Sequence, residues 1–416
     1  MKQLAIPFIR IFNLYRDAFG GLSTPTWMLS LVMLINRSGA MVIPFLSIYL
    51  TEKIGLSKVE AGYVLMGYGV GAVIGTTLGG QLTERFGHYK VQAGSLIATG
   101  VYLFILPLLS SFVGLIVGVT TLSIIADTIR PANGASIGYY AKKENVTKAF
   151  SLNRLAINLG ISIGPSIGGW LATFSYTLLF ITDGTTCILA GIAFILYFRN
   201  LRKGEDADRE ERKKSSVPVR KAYTDIPFVL FCILNACFAL VFFQILYTLP
   251  LFYVEEYAVD TTFVGYMLAL NGLVVFAFEM IVVHLWGHKF KVMTFVIFGA
   301  ALNGLAYLML IFTHSNALLI TSMVLLSFAE IFAMPFAIAW VSNRAGEASR
   351  GSYMGLYTSS YAVAHIIAPL AGTQLITYGG FDLLYGVLGG FGLLTALGFY
   401  GIVRAVNKPT LLQEDT

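Results

Sequence analysis

Long apolar segments separated by short polar breaks dominate the pattern along the chain. Stretches of about 20 mostly apolar residues, the length that a membrane-spanning helix needs, recur at Trp27–Leu50, Ala61–Leu82, Val91–Leu109 and Phe112–Ala135. Most of these stretches lack a polar face, which is typical of helices surrounded by lipid. Twelve of them are separated by polar breaks, among them those near residues 53–58, 84–90, 142–150, 199–225, 255–261, 286–291, 314, 343–350 and 378–382. The pattern predicts an all-α membrane protein with twelve transmembrane helices, numbered here as spans 1–12.

Composition supports a lipid environment for these spans. Of the 416 residues, 56% are hydrophobic and only 12% are charged, a balance that soluble globular domains do not have. Lipid must therefore be the solvent for most of the surface.

Positive charge is distributed unevenly between alternate loops. If the N-terminus is cytoplasmic, the inner segments hold 23 of the 28 basic residues, the outer loops hold Lys53 and Lys58, and three arginines lie inside helices. Short cytoplasmic loops carry such an excess of lysine and arginine. We therefore expect an inner-membrane protein with both termini in the cytoplasm. The net charge of +6 is interpreted as a topology signal rather than as nucleic-acid binding.

The most polar stretch of the chain, Arg199–Asp225, divides it into two halves. The stretch mixes both charge signs and is too poor in apolar residues to build a core. It predicts a cytoplasmic linker at 200–225 between six-helix bundles at 25–199 and 226–404, followed by a cytoplasmic tail at 405–416.

The N-terminal residues and the cysteines carry weaker signals. The first residues lack a short apolar core followed by a cleavage site, so we expect no cleavable signal peptide. An interfacial helix within 1–24 is predicted by apolar residues at helical spacing: Phe8, Ile11, Phe12, Tyr15 and Phe19. The cysteines fall inside apolar spans and are interpreted as packing residues rather than as a disulfide or a metal site: Cys187, Cys232 and Cys237.

A loop sequence after span 2 is echoed in weaker form after span 8. The two copies are Gly80–Lys90 and Trp286–Lys289. Six helices plus six with such an echo indicate a transporter built from repeated halves, with its substrate site between them near mid-membrane. The first copy resembles the loop signature of the major facilitator superfamily at Gly80, Glu84, Arg85, Gly87 and Lys90. It departs from that signature at Glu84, where the family usually has Asp, and at His88, where it usually has Arg.

The resemblance implies the major facilitator fold, two pseudo-symmetric six-helix bundles. It also implies that the acid of the loop, here Glu84, bridges the two halves in the outward-open state. Arg130–Gly134 in span 4 resembles a further family element, with Asn133 where the family has Gln, and implies that Arg130 takes part in proton transfer. Glu330–Pro335 and Arg350–Gly355 resemble both multidrug exporters and oligopeptide symporters.

Span 5 resembles the glycine-proline motif of proton-coupled drug exporters of that family at Gly160, Gly164, Pro165, Gly168 and Gly169. A spacing of four places the first, second and fourth of these on one helix face, where missing side chains permit close approach of another helix, and Pro165 bends the helix. We interpret this face as part of a rocking interface. Ordinary close packing is the alternative, as it is for Gly67, Gly71, Gly75 and Gly79 in span 2.

Ionisable groups inside the spans form the candidate site. Each costs about 2.5–3.5 kcal/mol on insertion, so such groups tend to face a cavity, pair with one another and carry function. The spans contain Arg37, Asp127, Arg130, Arg154, Asp183, Glu279 and Glu330. Arg154 is expected to anchor the cytoplasmic end of span 5. Asp183 and Glu279, near the ends of spans 6 and 8, could face the cavity or reach the membrane surface.

Asp127 and Arg130 are the predicted proton-coupling pair. They are three residues apart in span 4, so they share a helix face and can pair, with Arg37 of span 1 as a second partner. Beside the arginine the carboxylate stays ionised, and if a rearrangement withdraws the arginine, the desolvated acid binds a proton. That alternation is what proton coupling requires. A permanent structural ion pair is the alternative.

Glu330 is the predicted acid on the substrate side of the cavity. It lies mid-span in the second half without a basic residue nearby in sequence, so it is expected to be protonated or to bind a cationic group. Polar side chains in other apolar runs are expected to line the same cavity: Asn36, Asn133, Asn158, Gln244, Tyr247, Asn271 and Tyr361.

These features predict a proton-coupled antiporter that exports small amphipathic organic compounds by alternating access. Its expected partners are the substrate, protons and the lipid bilayer, and we expect a monomer without cofactor, metal or nucleic acid. The sequence has no nucleotide-binding loop, metal-ligand cluster or nucleophile with an ordered base, so an enzyme is not expected.

The alternative is a proton-coupled symporter that imports a zwitterion such as a small peptide. Arg37 and Arg130 would then face its carboxylate, and Glu330 its amine. Against this alternative, Leu34–Arg37 stands where oligopeptide symporters have E-x-x-E-R.

Overall fold

The protein is helical in the part of the chain that the structure, a computed structural model, describes: residues 20–201, 222–287, 289–312 and 315–406. No strand occurs in these ranges. The predicted interfacial helix at 1–24 falls almost entirely outside them. Most of the predicted linker at 200–225 and of the tail at 405–416 lies outside them as well, and the bundle boundaries stay predictions.

Eleven helical segments in the described ranges are long and apolar enough to cross a membrane. The first ten correspond to spans 1–10. In chain order the eleven are Thr24–Lys53, Lys58–Phe86, His88–Leu108, Phe112–Tyr140, Lys148–Phe174, Tyr176–Phe198, Ile226–Tyr247, Thr261–Val283, Val292–Ile311, Asn316–Ala345 and Ser352–Arg404.

The last segment, Ser352–Arg404, is 53 residues long and folds back on itself. The ring of Phe231 in span 7 lies 6.4 Å from that of Tyr357 and 5.5 Å from that of Phe399, centroid to centroid. Tyr357 and Phe399 are 42 residues apart, about 63 Å in a straight helix, so the chain must reverse between them. Gly380, with a φ of +72°, makes this turn. We call the two arms spans 11 and 12, and two crossings here are what the predicted count of twelve requires.

Several spans are broken near mid-membrane. The breaks separate Thr24–Gly39 from Val42–Ile48 in span 1, Phe112–Asp127 from Ile129–Tyr140 in span 4, and Ile226–Phe242 from Gln244–Tyr247 in span 7. A proline lacks a backbone donor, and its ring collides with the carbonyl four residues earlier. Pro44 lies four residues after Ala40, where span 1 breaks, and Pro131 lies four residues after Asp127, the last residue before the break in span 4. Such irregular backbone is tolerated at this depth only inside the protein, so the breaks point to the functional interior.

The two halves meet at one end of the molecule, here called the Lys58 end. Lys58 Nζ, at the start of span 2, lies 2.6 Å from Glu255 Oε2 of the second half. One turn further, a Cβ on Gly62 would be 2.2 Å from Thr373 Oγ1 in span 11, so only glycine fits there. The opposite end, where span 7 begins at Asp225, is called the Asp225 end.

Spans 2 and 11 separate toward the Asp225 end. At Gly69 an added Cβ would be 2.4 Å from the carbonyl oxygen of His365. This antiparallel register would bring Gly80 opposite Gly355 about three turns further on. A Cβ on either of those glycines would meet nothing within 4 Å. The interior is therefore open between spans 2 and 11 at the Asp225 end, whereas spans 5 and 8 stay in contact through Arg154 and Glu279.

Asp225 ties the ends of three spans together. Its carboxylate accepts hydrogen bonds from Arg344 Nε at 2.8 Å, Arg344 Nη2 at 2.7 Å and Tyr353 OH at 2.9 Å. It also caps span 7 by accepting the Phe228 N–H at 3.3 Å. Burial opposes ionisation of Asp225, but the hydrogen bonds from Arg344 and Tyr353 and the guanidinium charge outweigh it and hold its pKa below the usual value.

Candidate functional site

The structure brings Asp127 and Arg130 into an ion pair in the middle of span 4. Arg130 Nε donates to Asp127 Oδ1, and Ser123 Oγ, one turn earlier, donates to Oδ2 at 3.1 Å. The side chain of Asp127 is 4% exposed, whereas that of Arg130 is 52% exposed. Because the pair is at mid-span, the exposure of Arg130 means that the cavity between the halves reaches it. The carboxylate is thus buried behind the guanidinium that borders the cavity.

Aromatic and imidazole groups surround this pair. Tyr247 OH in span 7 shares a 2.7 Å hydrogen bond with His365 Nδ1 in span 11, and the His365 ring stacks on Phe243 with 3.7 Å between centroids. Tyr247 and His365, together with Tyr68 of span 2, lie close enough to feel the charges of Asp127 and Arg130. The first half supplies the charged pair and the second half supplies a polar aromatic wall facing it.

Arg37, the predicted second partner of Asp127, lies beside a different carboxylate. No ion pair in the described part of the chain joins Arg37 to Asp127. Arg37 instead lines a cavity of about 70 Å³ inside the first half, together with Asn36 and Asp183. Asp183 is 6% exposed, so it does not reach the membrane surface. Asn36 Nδ2 donates to Cys187 Sγ at 3.3 Å, which turns it away from the central cavity.

Glu279 of span 8 and Arg154 of span 5 pair across the two halves. Arg154 Nε lies 3.2 Å from Glu279 Oε1, and Arg154 Nη2 donates to Oε2 at 3.2 Å. Asn158 Nδ2 donates to the same Oε2 at 3.5 Å. The guanidinium of Arg154 thus turns inward to a carboxylate of the other half, and the expectation that Arg154 anchors the end of span 5 rather than binds substrate stays a prediction. The same contact shows that Glu279 faces the interior rather than the membrane surface.

Glu330 of span 10 lies near Glu279 within the second half. Asn271 Nδ2 donates to Glu330 Oε2 at 3.5 Å and to Ser327 Oγ at 3.1 Å. The charges of Glu279 and Arg154 are close enough to act on Glu330. The second half thus holds two carboxylates near one arginine of the first half. Arg154 pairs directly with Glu279, so Glu330 has no direct cationic partner in the described ranges.

The other predicted cavity residues of the second half are paired with protein groups. Gln244 is fully buried, where its Nε2 donates to the Ala368 carbonyl at 2.8 Å and its Oε1 accepts from Thr248 at 2.8 Å. Gln244 therefore holds span 7 against span 11. Tyr361 OH shares a 2.9 Å hydrogen bond with Tyr357 OH, and this pair lies on the side of Glu330 and Arg154.

Asn133, a predicted cavity residue of the first half, joins a buried polar network. Gln92 Nε2 donates to Asn133 Oδ1 at 3.3 Å, and Ser136 Oγ donates to Gln92 Oε1 at 2.7 Å. His88 Nδ1 lies 3.0 Å from the same Ser136 hydroxyl. The network connects spans 3 and 4 within the first half.

The span 5 motif has two packing faces. One face consists of Gly160, Gly164 and Gly168. A Cβ added to any of these would lie 2.6–3.1 Å from an atom of Arg37–Met41, the break in span 1. On the other face a Cβ on Gly169 would lie 2.3 Å from the carbonyl oxygen of Thr261 in span 8. Span 5, with Pro165 inside a continuous helix, therefore touches the broken first span on one side and the second half on the other.

The loop motif after span 2 lies at the Asp225 end. Glu84, Arg85 and Lys90 are exposed there, and Gly87 makes the turn between spans 2 and 3 with a φ of +85°. Glu84 takes part in none of the ion pairs among the described residues. Spans 2 and 11 are apart at this end, so the bridging expected of Glu84 in the outward-open state stays a prediction.

Sequence reasoning missed several residues of the site. Tyr68 and Gln92 carried no charge and matched no motif, although a polar residue in an apolar span is itself a signal. Ser123, four residues before Asp127, could have been found from helical spacing. Arg154 was noticed, but its partner Glu279 could not be predicted, because it lies 125 residues away in sequence.

Charged residues that converge from two halves, beside helices broken at mid-membrane, define the architecture of a secondary transporter. The chain belongs to the Major Facilitator Superfamily, whose profile matches residues 26–364 and 231–415. It is therefore a multi-pass membrane transporter, and the predicted family and all-α membrane fold are confirmed.

Sequence similarity to named transporters extends over most of the chain. The transporter YttB of Bacillus subtilis strain 168, described as an uncharacterized MFS-type transporter, is 24% identical over 361 residues, 85% of this chain and 88% of YttB. The quinolone resistance protein NorA of Staphylococcus aureus strain Mu50 is 23% identical over 342 residues, 82% of this chain and 86% of NorA. A crystal structure of a POT family transporter in complex with a thioalcohol-conjugated peptide has a TM-score of 0.77 at 15% identity and covers 92% of this chain and 96% of that one. The last similarity concerns the fold alone.

Proposed function

We propose that this transporter is a proton-coupled antiporter that exports small amphipathic organic compounds, from the cytoplasm across the inner membrane. The observation that carries the proposal is the pair at mid-span 4, in which Asp127 is buried and its partner Arg130 is half exposed. The similarity to NorA supports an organic substrate, because that protein is named for resistance to quinolones, which are small organic compounds.

The Asp127–Arg130 pair provides a proton switch. While Arg130 pairs with it, Asp127 is stabilised as a carboxylate. When a conformational change or a ligand in the cavity draws the guanidinium away, the isolated carboxylate in this desolvated position binds a proton from the cavity. Return of Arg130 displaces that proton. Inward movement of protons then drives export, to which the membrane potential contributes about 2.3 kcal/mol per charge per 100 mV.

The second half provides the substrate side. Among the described residues Glu330 has no direct cationic partner, and the hydrogen bond that it accepts from Asn271 is long, at 3.5 Å. Tyr361, Tyr357 and Asn158 add aromatic surface and hydrogen-bonding groups nearby. An amphipathic cation would satisfy Glu330 with its charge and the tyrosines with its apolar part.

Alternating access would use span 5 as its moving contact. In the observed conformation the halves meet at the Lys58 end, and spans 2 and 11 are apart at the Asp225 end. With the N-terminus cytoplasmic, the Asp225 end faces the cytoplasm, and the site is loaded from there. Sliding of the Gly169 face against span 8 would close that end and open the other.

The test is a transport screen in proteoliposomes with cationic, zwitterionic and anionic organic compounds. Substrate flux is measured under three conditions: with both the pH gradient and the membrane potential present, with the pH gradient collapsed, and with both collapsed. The proposal predicts uphill flux of a cationic amphipathic compound that stops when both gradients are removed. Flux that persists unchanged without gradients would remove the coupling.

The alternative is a proton-coupled symporter that imports a zwitterion such as a small peptide. It is favoured by the presence of Arg130 in the first half and Glu330 in the second, since side chains of opposite charge on the two halves suit the two ends of a zwitterion. The two functions differ in the direction of proton movement. A dipeptide that acidifies the compartment it enters would establish symport, whereas a compound whose efflux acidifies the compartment it leaves would establish antiport.

A further inference from the structure

The break in span 1 leaves backbone donors at mid-membrane, and one carboxylate accepts them. Asp183 Oδ2 in span 6 accepts the N–H groups of Met41 and Val42, each at 3.3 Å, and the Met41 N–H also donates to the Gly39 carbonyl at 2.7 Å. Its Oδ1 accepts a weak hydrogen bond from Cys187 Sγ at 3.6 Å. Unpaired backbone groups are costly in a membrane interior, so Asp183 stabilises the broken form of span 1.

The same break lies against the glycine face of span 5. A Cβ on Gly160 would be 2.6 Å from Arg37 Cβ, and a Cβ on Gly168 would be 2.7 Å from Met41 Cβ. The motif therefore fits span 1 only in the shape that Asp183 maintains. A change at Asp183 is transmitted to span 5 and from there, through Gly169, to the second half.

A polar cavity of about 70 Å³ lies beside Asp183. Its wall includes Arg37, Tyr68 and Thr99, and also Ala126, the neighbour of Asp127. Thr99 is 8% exposed, and its hydroxyl and the Nε of Arg37 are buried without a hydrogen-bond partner among the described residues. A polar cavity of this size accommodates water, which would satisfy both groups and conduct protons.

Charged and titratable groups reach Asp183 from several elements. Arg37 faces it from span 1 and Cys187 from its own helix. Tyr68 of span 2 lines the same cavity as Asp183 and is also within electrostatic range of the Asp127–Arg130 pair of span 4. Span 3 contributes the neutral Thr99. Asp183 is therefore a second buried carboxylate with its own arginine, and its cavity also borders Tyr68 and Ala126, the neighbour of Asp127.

We propose that Asp183 is a second proton-binding residue of this transporter, and that it acts as a positioning residue through the break in span 1. A proton passes from cavity water to Oδ2, and the charge-assisted hydrogen bonds from Met41 and Val42 weaken as the carboxylate becomes neutral. Span 1 is then free to shift against the glycine face of span 5. Loss of the proton to the same water restores the bonds and the shape. The proposal rests on the proton coupling proposed above.

The test measures substrate exchange, which needs no net proton movement, across acid to alkaline pH in proteoliposomes. The wild type is compared with Asp183→Asn, Asp127→Asn and, as a matched control, Asp382→Asn, whose carboxylate is exposed. Asp183→Asn keeps the size and one acceptor oxygen but cannot titrate. This variant should retain exchange at its most favourable pH. The pH profile of wild-type exchange should contain one step for Asp127 and one for Asp183, and the variant should lose the second. Its uphill flux should fall about tenfold. Asp382→Asn should behave as the wild type.

Two results would overturn the proposal: a wild-type pH profile in Asp183→Asn, or a uniform loss of exchange at every pH, which is what a purely structural cap predicts. Thr99→Val provides an independent measurement if Asp183→Asn is not recovered folded. It removes the cavity hydroxyl at constant shape and should slow proton-driven flux while sparing exchange, and unchanged proton-driven flux would contradict the water path. If wild-type flux does not depend on the pH gradient or the membrane potential, the proposed coupling fails. If the wild type is coupled and only the Asp183 results deviate, this inference fails alone.

Discussion

Arg154 in the first half and Glu279 in the second form a two-pronged ion pair, with both nitrogen-to-oxygen distances at 3.2 Å. The pair joins the halves within the cavity in the conformation that is open at the Asp225 end. The Arg154 side chain is 31% exposed and that of Glu279 is 14% exposed, so solvent screens the attraction only in part. It is therefore a contact whose loss should change the balance between conformations.

Glu279→Gln should shift the protein away from the observed conformation. The change leaves the Arg154 guanidinium partly buried without a carboxylate, and we expect a free-energy change of about 1 kcal/mol, roughly a fivefold change in population. Spin-label distances between Glu84→Cys and Arg404→Cys, in a background without the native cysteines, report the opening of the Asp225 end. The double change with Arg154→Gln should be less than additive. Additive effects would mean that the two side chains do not interact.

The Lys58–Glu255 pair should help to hold the Lys58 end closed. Both side chains are about one third exposed, at 33% and 34%, so the expected contribution is about 0.2–1 kcal/mol and falls with added salt. Lys58→Glu should open this end, which labels on either side of it would detect. The exchange of both charges, Lys58→Glu with Glu255→Lys, should restore the wild-type distance. Failure of the double variant to restore it would exclude a direct pair.

Gly169→Ala should impair transport strongly. Its Cβ would be placed 2.3 Å from the carbonyl oxygen of Thr261, which is backbone and cannot move aside. Gly94→Ala is the matched control, since a Cβ there meets nothing within 4 Å. The control should transport normally and gain up to about 1 kcal/mol in helix stability. Equal flux in the two variants would show that the span 5 contact does not limit transport.

The sequence predicts the fold better than it predicts the site. Apolar length and glycine spacing are local properties, so spans 1–10 and the glycine face of span 5 could be read from residues close together in the chain. Partners are not local: Arg154 meets Glu279 and Asp183 meets Met41 only after the helices pack. Arg37 illustrates the difference, because its helix and depth are evident from the sequence, whereas the carboxylate beside it is decided by a break in span 1 that Pro44 causes.

Asp225→Asn should destabilise the second half at neutral pH but not in acid. The pKa of Asp225 is held below its usual value by Arg344 and Tyr353, so its stabilising effect is complete above the unfolded pKa and disappears as pH falls through the folded pKa. We expect a loss of about 2 kcal/mol at neutral pH. Thermal unfolding of wild type and variant in detergent at a series of pH values measures it. A difference that stays constant down to strongly acidic pH would rule out the ionised form as the cause.

The central claim is that Asp127 carries the coupled proton, and Asp127→Asn tests it most directly. Uphill substrate flux under a proton gradient and gradient-free exchange are recorded on the same proteoliposomes, with Asp382→Asn as the control. The account predicts that Asp127→Asn abolishes uphill flux and retains exchange, while the control retains both. Uphill flux that survives in Asp127→Asn would contradict the account.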